Sequence, residues 1–502
     1  MVTRTHRTHR RRWLALGVLV VPVLLTSMDI SILYMAVPAI TADLAPTAGQ
    51  MLWILDAYGF LLAGLLITAG NIGDRIGRRR LLLIGSVLFG AASLAAALSP
   101  TPEALIAARA LMGVGGATLM PSTLALIRNI FTDPAERTRA IGLWTAGFAG
   151  GAALGPIVGG GLLEFFGWGS VFLINVPIIL ALLVAGVLVL PEYRAERPDP
   201  LDTLSVLLSF TAVLPLVWAI KTTAEELALS PAGGAALLFG LLTGAVFVLR
   251  QRRLAVPLVD VSLFANRRFT GAVLAGALMM FSLVAMMLHT AQFLQLVEGF
   301  SPLGAAFLLL PVLAAVAVTS TLSATAARLW SYRTVFVGGA LTSASGMLVL
   351  GFTPAAPPIW WVLLGSALVG MGVGPVVALA VDVVVAAVSP DRAGAASAVS
   401  ETANEFGAAM GIAVLGTVSA AAYRAGIQAQ LPDGVPAERA EAISSSLGAA
   451  LAVAEHLPTG AAESLAASAR EAFVSGMAAT GMVGAALLLA LGLGLIVLLR
   501  QK

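Results

Sequence analysis

Runs of about twenty mostly apolar residues recur along the whole chain, with only short polar segments between them. Each run is long enough for a helix to cross the hydrocarbon core of a bilayer. We therefore predict an all-α integral membrane protein with about fourteen transmembrane helices. The predicted helices lie at approximately 13–40, 51–72, 81–99, 102–130, 138–163, 170–191, 203–220, 232–250, 269–296, 302–327, 334–353, 359–388, 394–424 and 472–499.

The composition excludes a soluble domain. Only 11% of the residues are charged, whereas soluble domains carry about 25%. The mean hydropathy is +0.96, and a bilayer, unlike a soluble core, can absorb that much apolar surface. The chain has no cysteine, which excludes disulfides, thiolate metal sites and cysteine nucleophiles.

Arginine is distributed unevenly among the predicted loops. With the N-terminus in the cytoplasm, the arginines of 1–12, 75–80, 137–139, 250–253 and 267–268 all lie inside. Cytoplasmic loops normally carry this excess of basic residues. We expect a multi-pass membrane protein with both termini cytoplasmic. The long outside loop at 426–471 is Ala-rich with scattered Glu and Arg, which is compatible with short amphipathic helices. We interpret it as a solvated hairpin, with a lid over the site as the alternative.

Ionisable residues inside the predicted spans are the first candidates for function. Each costs about 2.5–3.5 kcal/mol to insert, so such residues usually mark a pathway or a partner. Glu401 and Glu405 are four residues apart and share one helix face. Two carboxylates this close repel when both are ionised, which favours retention of a proton by one of them. A proton-for-cation exchanger needs such a group.

Each of these residues also has a structural interpretation. Asp29 would pair with Arg109 and hold the bundle together, Asp56 would lie in the headgroup region, and Glu405 would face a cavity without function. The predicted proton- and substrate-binding residues are Asp29, Asp56, Glu401 and Glu405. The weaker candidates for the cavity or its gate are Arg109, His289, for which a satisfied polar residue is the alternative, and Asp382, for which an interfacial position is the alternative.

Two glycine-rich motifs stand out. The first bridges helices 2 and 3, where two glycines permit a tight turn and an Asp can pair with an Arg; its residues are Gly73, Asp74, Arg75, Gly77, Arg78 and Arg79. The second runs through helix 5, where glycines allow close helix approach and a proline opens the hydrogen-bond ladder; its residues are Gly142, Gly151, Gly155, Pro156, Gly159 and Gly160.

Together the motifs resemble the major facilitator superfamily, and more narrowly its fourteen-helix drug:proton antiporter branch of bacterial quaternary-ammonium and multidrug exporters. The resemblance covers about 13–424 and rests on segments 28–38, 52–58, 73–80, 109–117, 142–160 and 400–402. Two departures stand out. Tyr34 occupies a position where the family usually has Asn, and helix 10 lacks an acid found in some relatives, which favours monocations over dications.

The resemblance implies a major facilitator fold: two six-helix bundles plus two inserted helices. The bundles would span 13–191 and 269–499, the latter including the outside loop 426–471. The inserted helices 7 and 8 would lie in 192–268, and 1–12 would form a cytoplasmic basic N-terminus. The halves would be parallel repeats. The second copy is degenerate, since residues 327–330 stand where 73–76 stand in the first.

The resemblance also implies a function: a proton-coupled antiporter that exports lipophilic cationic drugs, dyes or antiseptics by alternating access and so confers antibiotic resistance. It would use the proton gradient, no cofactor and no metal. It would act as a monomer in the bacterial inner (cytoplasmic) membrane, without nucleic acid. Aromatic and Met side chains near the acids suit a lipophilic cation, or else form an interfacial belt and packing; these are Met28, Trp53, Tyr58 and Trp144.

Other function classes fit less well. ATP-driven pumping is excluded, because neither Lys221 nor Lys502 follows a glycine as a P-loop requires. The four histidines are scattered and form no catalytic arrangement, so we expect no enzyme. A proton-coupled exporter of an endogenous lipid or metabolite remains an alternative, as does a non-transporting membrane sensor or scaffold.

Overall fold

A computed structural model describes residues 2–194, 202–226, 230–254, 257–388, 393–430 and 437–499. In these residues the regular structure is helical and contains no strand. Fourteen helical segments among them are long and apolar enough to cross a membrane. The predicted fold class is thereby confirmed, and the chain is a multi-pass membrane protein.

The first bundle supplies six spans. Its helices are α1 (Val2–Leu44), α2 (Ala48–Ile76), α3 (Arg78–Ala97), α4 (Pro102–Ile130), α5 (Pro134–Phe165), α6 (Ser170–Leu173) and α7 (Asn175–Val189). The sixth span comprises α6 and α7, because the helix is interrupted at Ile174. Side chains of Thr47, Thr101 and Asp133 accept backbone N–H groups at the starts of α2, α4 and α5, which satisfies donors that a helix end leaves free.

The inserted pair comprises α8 (Thr203–Glu226) and α9 (Pro231–Gln251). These helices pack on each other, and α8 also contacts α2 and α14, which belong to different bundles. An apolar cluster marks this contact and consists of Phe60, Val217, Ala409 and Ala413. We call it the α8 cluster. The inserted helices therefore bridge the two bundles along one side.

The second bundle begins after a 3-10 turn at Val261–Ala265. Its helices are α10 (Arg267–Gln292), which continues as a π-helical turn (Phe293–Val297), α11 (Pro302–Trp330), α12 (Tyr332–Gly351), α13 (Ile359–Ala386), α14 (Ala393–Gln428), α15 (Ala437–Ser445), α16 (Leu447–Ala454) and α17 (Thr459–Leu498). The last span starts earlier than the predicted 472, so the outside loop is shorter than expected.

The described part of that loop is packed and not solvated. Helices α15 and α16 bury Ile443, Leu447 and Ala450, and the Tyr423 hydroxyl donates a hydrogen bond to the Ile443 carbonyl at 2.9 Å. The expected short helices are therefore present. The interpretation as a solvated hairpin is wrong for their apolar side chains, which pack against the ends of α1, α14 and α17. Residues 431–436 lie outside the described residues.

The two bundles meet at the end of the molecule away from residues 73–80. There a Cβ at Gly160 would overlap the backbone of Leu303. The Gln295 amide donates to the Met35 carbonyl at 3.3 Å. Nearer the opposite end of α5, a Cβ at Gly142 would meet nothing within 4 Å. The bundles are thus joined at one end, and α5 is less closely packed towards the other.

Candidate functional site

A small cavity lies between the bundles and is lined from both sides. Its volume is about 30 Å³, room for about two water molecules. The lining residues come from α1, α2 and α4 on one side and from α14 on the other: Ile30, Leu33, Tyr34, Leu55, Tyr58, Gly59, Arg109, Glu405, Ala408, Ala409 and Ile412. We call it the central cavity. Arg109 and Glu405 face it from opposite bundles.

Asp29 and Arg109 form an ion pair beside this cavity. The Arg109 Nη1 donates to Asp29 Oδ2 at 2.5 Å, and both side chains are 1% exposed. The Arg109 Nε also donates to the Ile54 carbonyl at 3.2 Å. A buried pair of this kind survives only where further hydrogen bonds satisfy its remaining atoms. The pairing that sequence analysis gave as the alternative for Asp29 is therefore present.

Asn175 completes the pair and was missed by the sequence analysis. Its Nδ2 donates to Asp29 Oδ1 at 3.2 Å and to Ser93 Oγ at 3.3 Å. Asn175 stands at the start of α7, directly after the interruption at Ile174. A lone amide in an otherwise apolar span is the signal that would have found it. Asp29 thus links α1 to α4 and α7.

The Arg109 guanidinium also makes a cation–π contact with Tyr58. Its guanidinium carbon lies 4.7 Å from the centroid of the Tyr58 ring, within the range of a cation–π contact. The Tyr58 ring also meets Phe89 edge-on at 6.5 Å. Tyr58 therefore lines the central cavity as predicted, but a protein cation already covers its ring.

Two carboxylates of α14 face the first bundle. Glu405 lines the central cavity and is 7% exposed, while Glu401 lies one turn away on the same helix face and is partly exposed. In the described part of the chain, no basic side chain forms an ion pair with either of them. The two acidic groups of this helix therefore differ from Asp29, whose charge is matched by Arg109.

Asp56 is buried in α2 at 1% exposure and is not an exposed helix-end residue. It lies close enough to Tyr34 for its charge to act on the phenol, and Glu405 does the same from α14. Tyr34 therefore lies within electrostatic reach of two carboxylates, one from each bundle, and also of the Arg109 guanidinium. Asp56 and Glu405 are the acidic side chains near Tyr34.

Three of the predicted residues do not line the central cavity. Trp53 packs with Phe60 at a ring distance of 6.4 Å, against the α8 cluster. Met28 belongs to the apolar core. The Trp144 indole donates to Thr123 Oγ1 at 3.0 Å. These three side chains pack between helices, as the alternative interpretation of the aromatic residues proposed.

The two remaining ionisable candidates also lie elsewhere. His289 Nδ1 is 2.7 Å from the Ala285 carbonyl within α10, and its ring lies 6.3 Å from that of Phe473. Asp382 is exposed on α13. The structure thus gives His289 the satisfied polar environment that sequence analysis named as its alternative.

The 73–80 loop makes the predicted tight turn and the predicted ion pair. Gly77 has φ +111°, a conformation that glycine adopts readily, and its N–H donates to the Gly73 carbonyl at 3.0 Å. Arg78 Nη2 lies 2.6 Å from Asp74 Oδ1. Glu192, which sequence analysis missed, accepts the backbone N–H of Arg79 at 3.0 Å. This carboxylate caps α3 and ties the loop to the end of the sixth span.

The glycines of α5 permit close packing at four of the five predicted positions. A Cβ at Gly151 or Gly155 would overlap atoms of α1, and one at Gly159 would press on Ile32. Gly160 faces α11 instead. Pro156 lies inside the helix as predicted. Gly142 makes no such approach to a described residue, so the prediction is wrong for this glycine in this conformation.

Comparisons with known proteins agree with this architecture. The family model of the Major Facilitator Superfamily matches residues 19–412. The chain is 46% identical to the multidrug efflux pump LfrA of Mycolicibacterium smegmatis, over 97% of this chain and 96% of LfrA. It is 36% identical to the methyl viologen resistance protein SmvA of Salmonella typhimurium, over 95% and 97% of the two chains.

A solved structure shares the fold. This is an inward-facing bacterial homologue of the human lysosomal transporter Spinster, which aligns over 98% of this chain and 99% of its own with a TM-score of 0.67 at 17% identity. The bundle arrangement, the family match and the two relatives lead to one conclusion. The chain belongs to the Major Facilitator Superfamily and is a secondary transporter, not an enzyme.

Proposed function

We propose that the chain is a proton-coupled antiporter that exports lipophilic cationic drugs by alternating access. One observation carries the proposal: Glu405 lies in the cavity between the bundles, and no described basic side chain pairs with it. A carboxylate in this position can bind either a proton or a cation, and the two compete for the same charge. The names of LfrA and SmvA support drugs as the cargo.

In this mechanism the orientation follows from the arginine-rich loops, with both termini and residues 73–80 in the cytoplasm of a bacterial cell. The bundles are joined at the opposite, outer end. On this mechanism a cation enters the central cavity from the cytoplasm. A cation binds there to the ionised carboxylates. After the bundles rock, a proton from outside neutralises Glu405 and releases the cation.

The proton gradient supplies the energy without a cofactor. One pH unit is worth about 1.4 kcal/mol per proton, and 100 mV of membrane potential about 2.3 kcal/mol per charge. Glu405 is the shared proton and cation site, with Glu401 and Asp56 as its acidic neighbours. Asp29 and Arg109 are positioning residues, because their charges satisfy each other. The chain acts as a monomer.

The test is uptake of ethidium and methyl viologen into energised everted vesicles. The variants are wild type, Glu405→Gln and the control Glu463→Gln, which changes an exposed acid on α17. Wild type and the control should accumulate ethidium until a protonophore is added, while Glu405→Gln should accumulate only the protonophore-treated amount. Methyl viologen tests the monocation preference separately, since it is a dication.

Two results would contradict the proposal. Protonophore-insensitive ethidium uptake by wild type would exclude proton coupling. No uptake of either cation by wild type would exclude cation export, and would leave an endogenous lipid or metabolite as the cargo, or a sensor or scaffold role.

A further inference from the structure

An aromatic ring binds a cation only if the ring face is accessible. The cation must lie within about 6 Å of the centroid, and the contact is strongest where water is excluded. The rings of Tyr58 and Phe172 both contact the Arg109 guanidinium. Trp53 packs against the α8 cluster and does not line the central cavity. Tyr58 and Trp53 therefore do not offer a ring to a substrate in the central cavity.

Tyr34 differs from Tyr58 and Trp53 in its position and in its contacts. It lines the central cavity directly and is 6% exposed. Of the side chains described as lining this cavity, only those of Tyr34 and Tyr58 are aromatic, and the Tyr58 ring is covered by Arg109. Tyr34 also lies within electrostatic reach of Asp56 and Glu405. An aromatic ring that shares a cavity with one carboxylate and lies within electrostatic reach of a second is suited to binding an organic cation.

We propose that Tyr34 is the residue whose ring binds the substrate cation, with Glu405 supplying the opposite charge. This inference rests on the proposed function and adds a specificity determinant to it. The ring selects flat aromatic or quaternary ammonium cations, whose charge is spread over a surface that can stack. The position is one where the resembled family usually has Asn, so the ring distinguishes this chain's site from that pattern.

The test measures ethidium binding to the purified chain in lipid nanodiscs by fluorescence anisotropy. Tyr34→Phe keeps the ring and should bind within about 2-fold of wild type. Tyr34→Leu keeps apolar bulk without the ring and should bind about 5- to 30-fold more weakly. Tetraphenylphosphonium, added as a competitor, should show the same order of affinities.

The matched control is Trp53→Leu, which removes an aromatic ring outside the central cavity and should bind ethidium within about 2-fold of wild type. The thermal unfolding midpoint of each variant is measured alongside, and Tyr34→Leu and Tyr34→Phe should have the same midpoint. Equal binding by Tyr34→Leu and wild type would overturn the inference. So would an equal loss in Tyr34→Phe and Tyr34→Leu, because that assigns the effect to the hydroxyl.

Failure of this inference differs from failure of the proposed function. If Glu405→Gln abolishes export while Tyr34→Leu binds like wild type, only the role of Tyr34 is wrong. If wild type binds neither ethidium nor tetraphenylphosphonium, cation export is wrong and the role of Tyr34 falls with it.

Discussion

The two bundles repeat one backbone turn with different side chains. Gly77 and Ser331 occupy corresponding turns and have φ values of +111° and +101°. Their N–H groups donate to Gly73 and Ala327 at 3.0 Å in both cases. Two residues further on in each bundle, an arginine reaches the carbonyl end of another helix. Arg79 donates to Leu190 at 3.0 Å and Arg333 to Ile496 at 3.1 Å. The backbone repeat therefore persists where the sequence motif has degenerated.

The bundle interiors differ more than the turns do. Arg109 and Ser366 lie equally far from the N-cap residues of α4 and α13. In the first bundle Arg109 pairs with Asp29. In the second, Ser366 and Thr290 share a hydrogen bond between hydroxyls at 2.8 Å. A charge pair in one repeat thus stands where the other has a neutral pair.

This comparison separates two roles. The first bundle holds its carboxylate Asp29 in a matched pair, which suits a scaffold. The second bundle has no such pair at Ser366 but presents Glu405 to the central cavity. On the proposed mechanism, the acid that exchanges protons comes from the bundle without the buried charge pair. A carboxylate fixed by an arginine would not release its charge readily.

The largest expected effect comes from breaking the charge pair. Arg109→Leu leaves Asp29 buried without its partner and should destabilise the chain by about 3–5 kcal/mol. Ser366→Ala removes only a neutral hydrogen bond and should cost about 1 kcal/mol. Tryptophan fluorescence during thermal and denaturant unfolding in one detergent compares them. Adding Asp29→Leu to Arg109→Leu should recover much of the loss. Equal costs for Arg109→Leu and Ser366→Ala would remove the distinction between the bundles.

A smaller effect, of opposite sign in the two repeats, is expected at the turns. Gly77→Ala puts a Cβ at positive φ and against the Glu192 carboxylate, and should cost about 1–2 kcal/mol. Ser331→Gly relieves the same backbone strain in the second bundle. It loses the hydroxyl that accepts the Thr334 N–H, but glycine is nearly as good a cap, so the net result should be about 0.5–1 kcal/mol of added stability.

The measurement is again the unfolding midpoint, with Gly142→Ala as the control because a Cβ there meets open space. That variant should be neutral or slightly stabilising, since alanine favours a helix. If Ser331→Gly destabilised the chain as much as Gly77→Ala, the two turns would not be equivalent.

The smallest effect is expected in the inserted pair, which belongs to neither repeat. Burial alone would raise the pKa of Asp202, but hydrogen bonds from Arg250 and Ser205 lower the pKa below its usual 3.8. Arg250 Nη2 donates to Asp202 Oδ1 at 2.9 Å, between the start of α8 and the end of α9. A carboxyl with a lowered folded-state pKa contributes stability above its unfolded pKa, and this is lost as pH falls through the folded one.

Asp202→Asn should therefore lower the unfolding midpoint slightly at pH 7. The difference from wild type should begin to shrink as pH falls below the unperturbed pKa of 3.8, and vanish once the pH is below the lowered pKa of the folded state. The two midpoints are compared from pH 7 down to acid in the same detergent. A difference that persists unchanged in acid would mean that the carboxylate charge does not stabilise the α8–α9 contact.

The sequence by itself determined the features that depend on local pattern. Apolar length alone predicted fourteen spans, all of which are present in the described residues. The turn at Gly77 and the pairing of Asp74 with Arg78, four residues apart, also follow from the local sequence, because both lie within one short segment. The acids of α14 could be identified because charge inside an apolar run is conspicuous.

The tertiary structure alone decided which of these residues act together. The Asp29–Arg109 pair joins residues eighty positions apart. Asn175 contacts Asp29, and Glu192 contacts Arg79, through the packing of spans that are distant in the sequence. The sequence alone predicted that Trp53 and Tyr58 would contact a cation. In the structure Trp53 packs against the α8 cluster, and Arg109 lies over the Tyr58 ring. Tyr34 is the other aromatic side chain that lines the central cavity. Insertion into a bilayer is favourable for any sufficiently apolar helix, whatever its neighbours. Which side chains contact each other is therefore determined by helix packing and not by hydropathy.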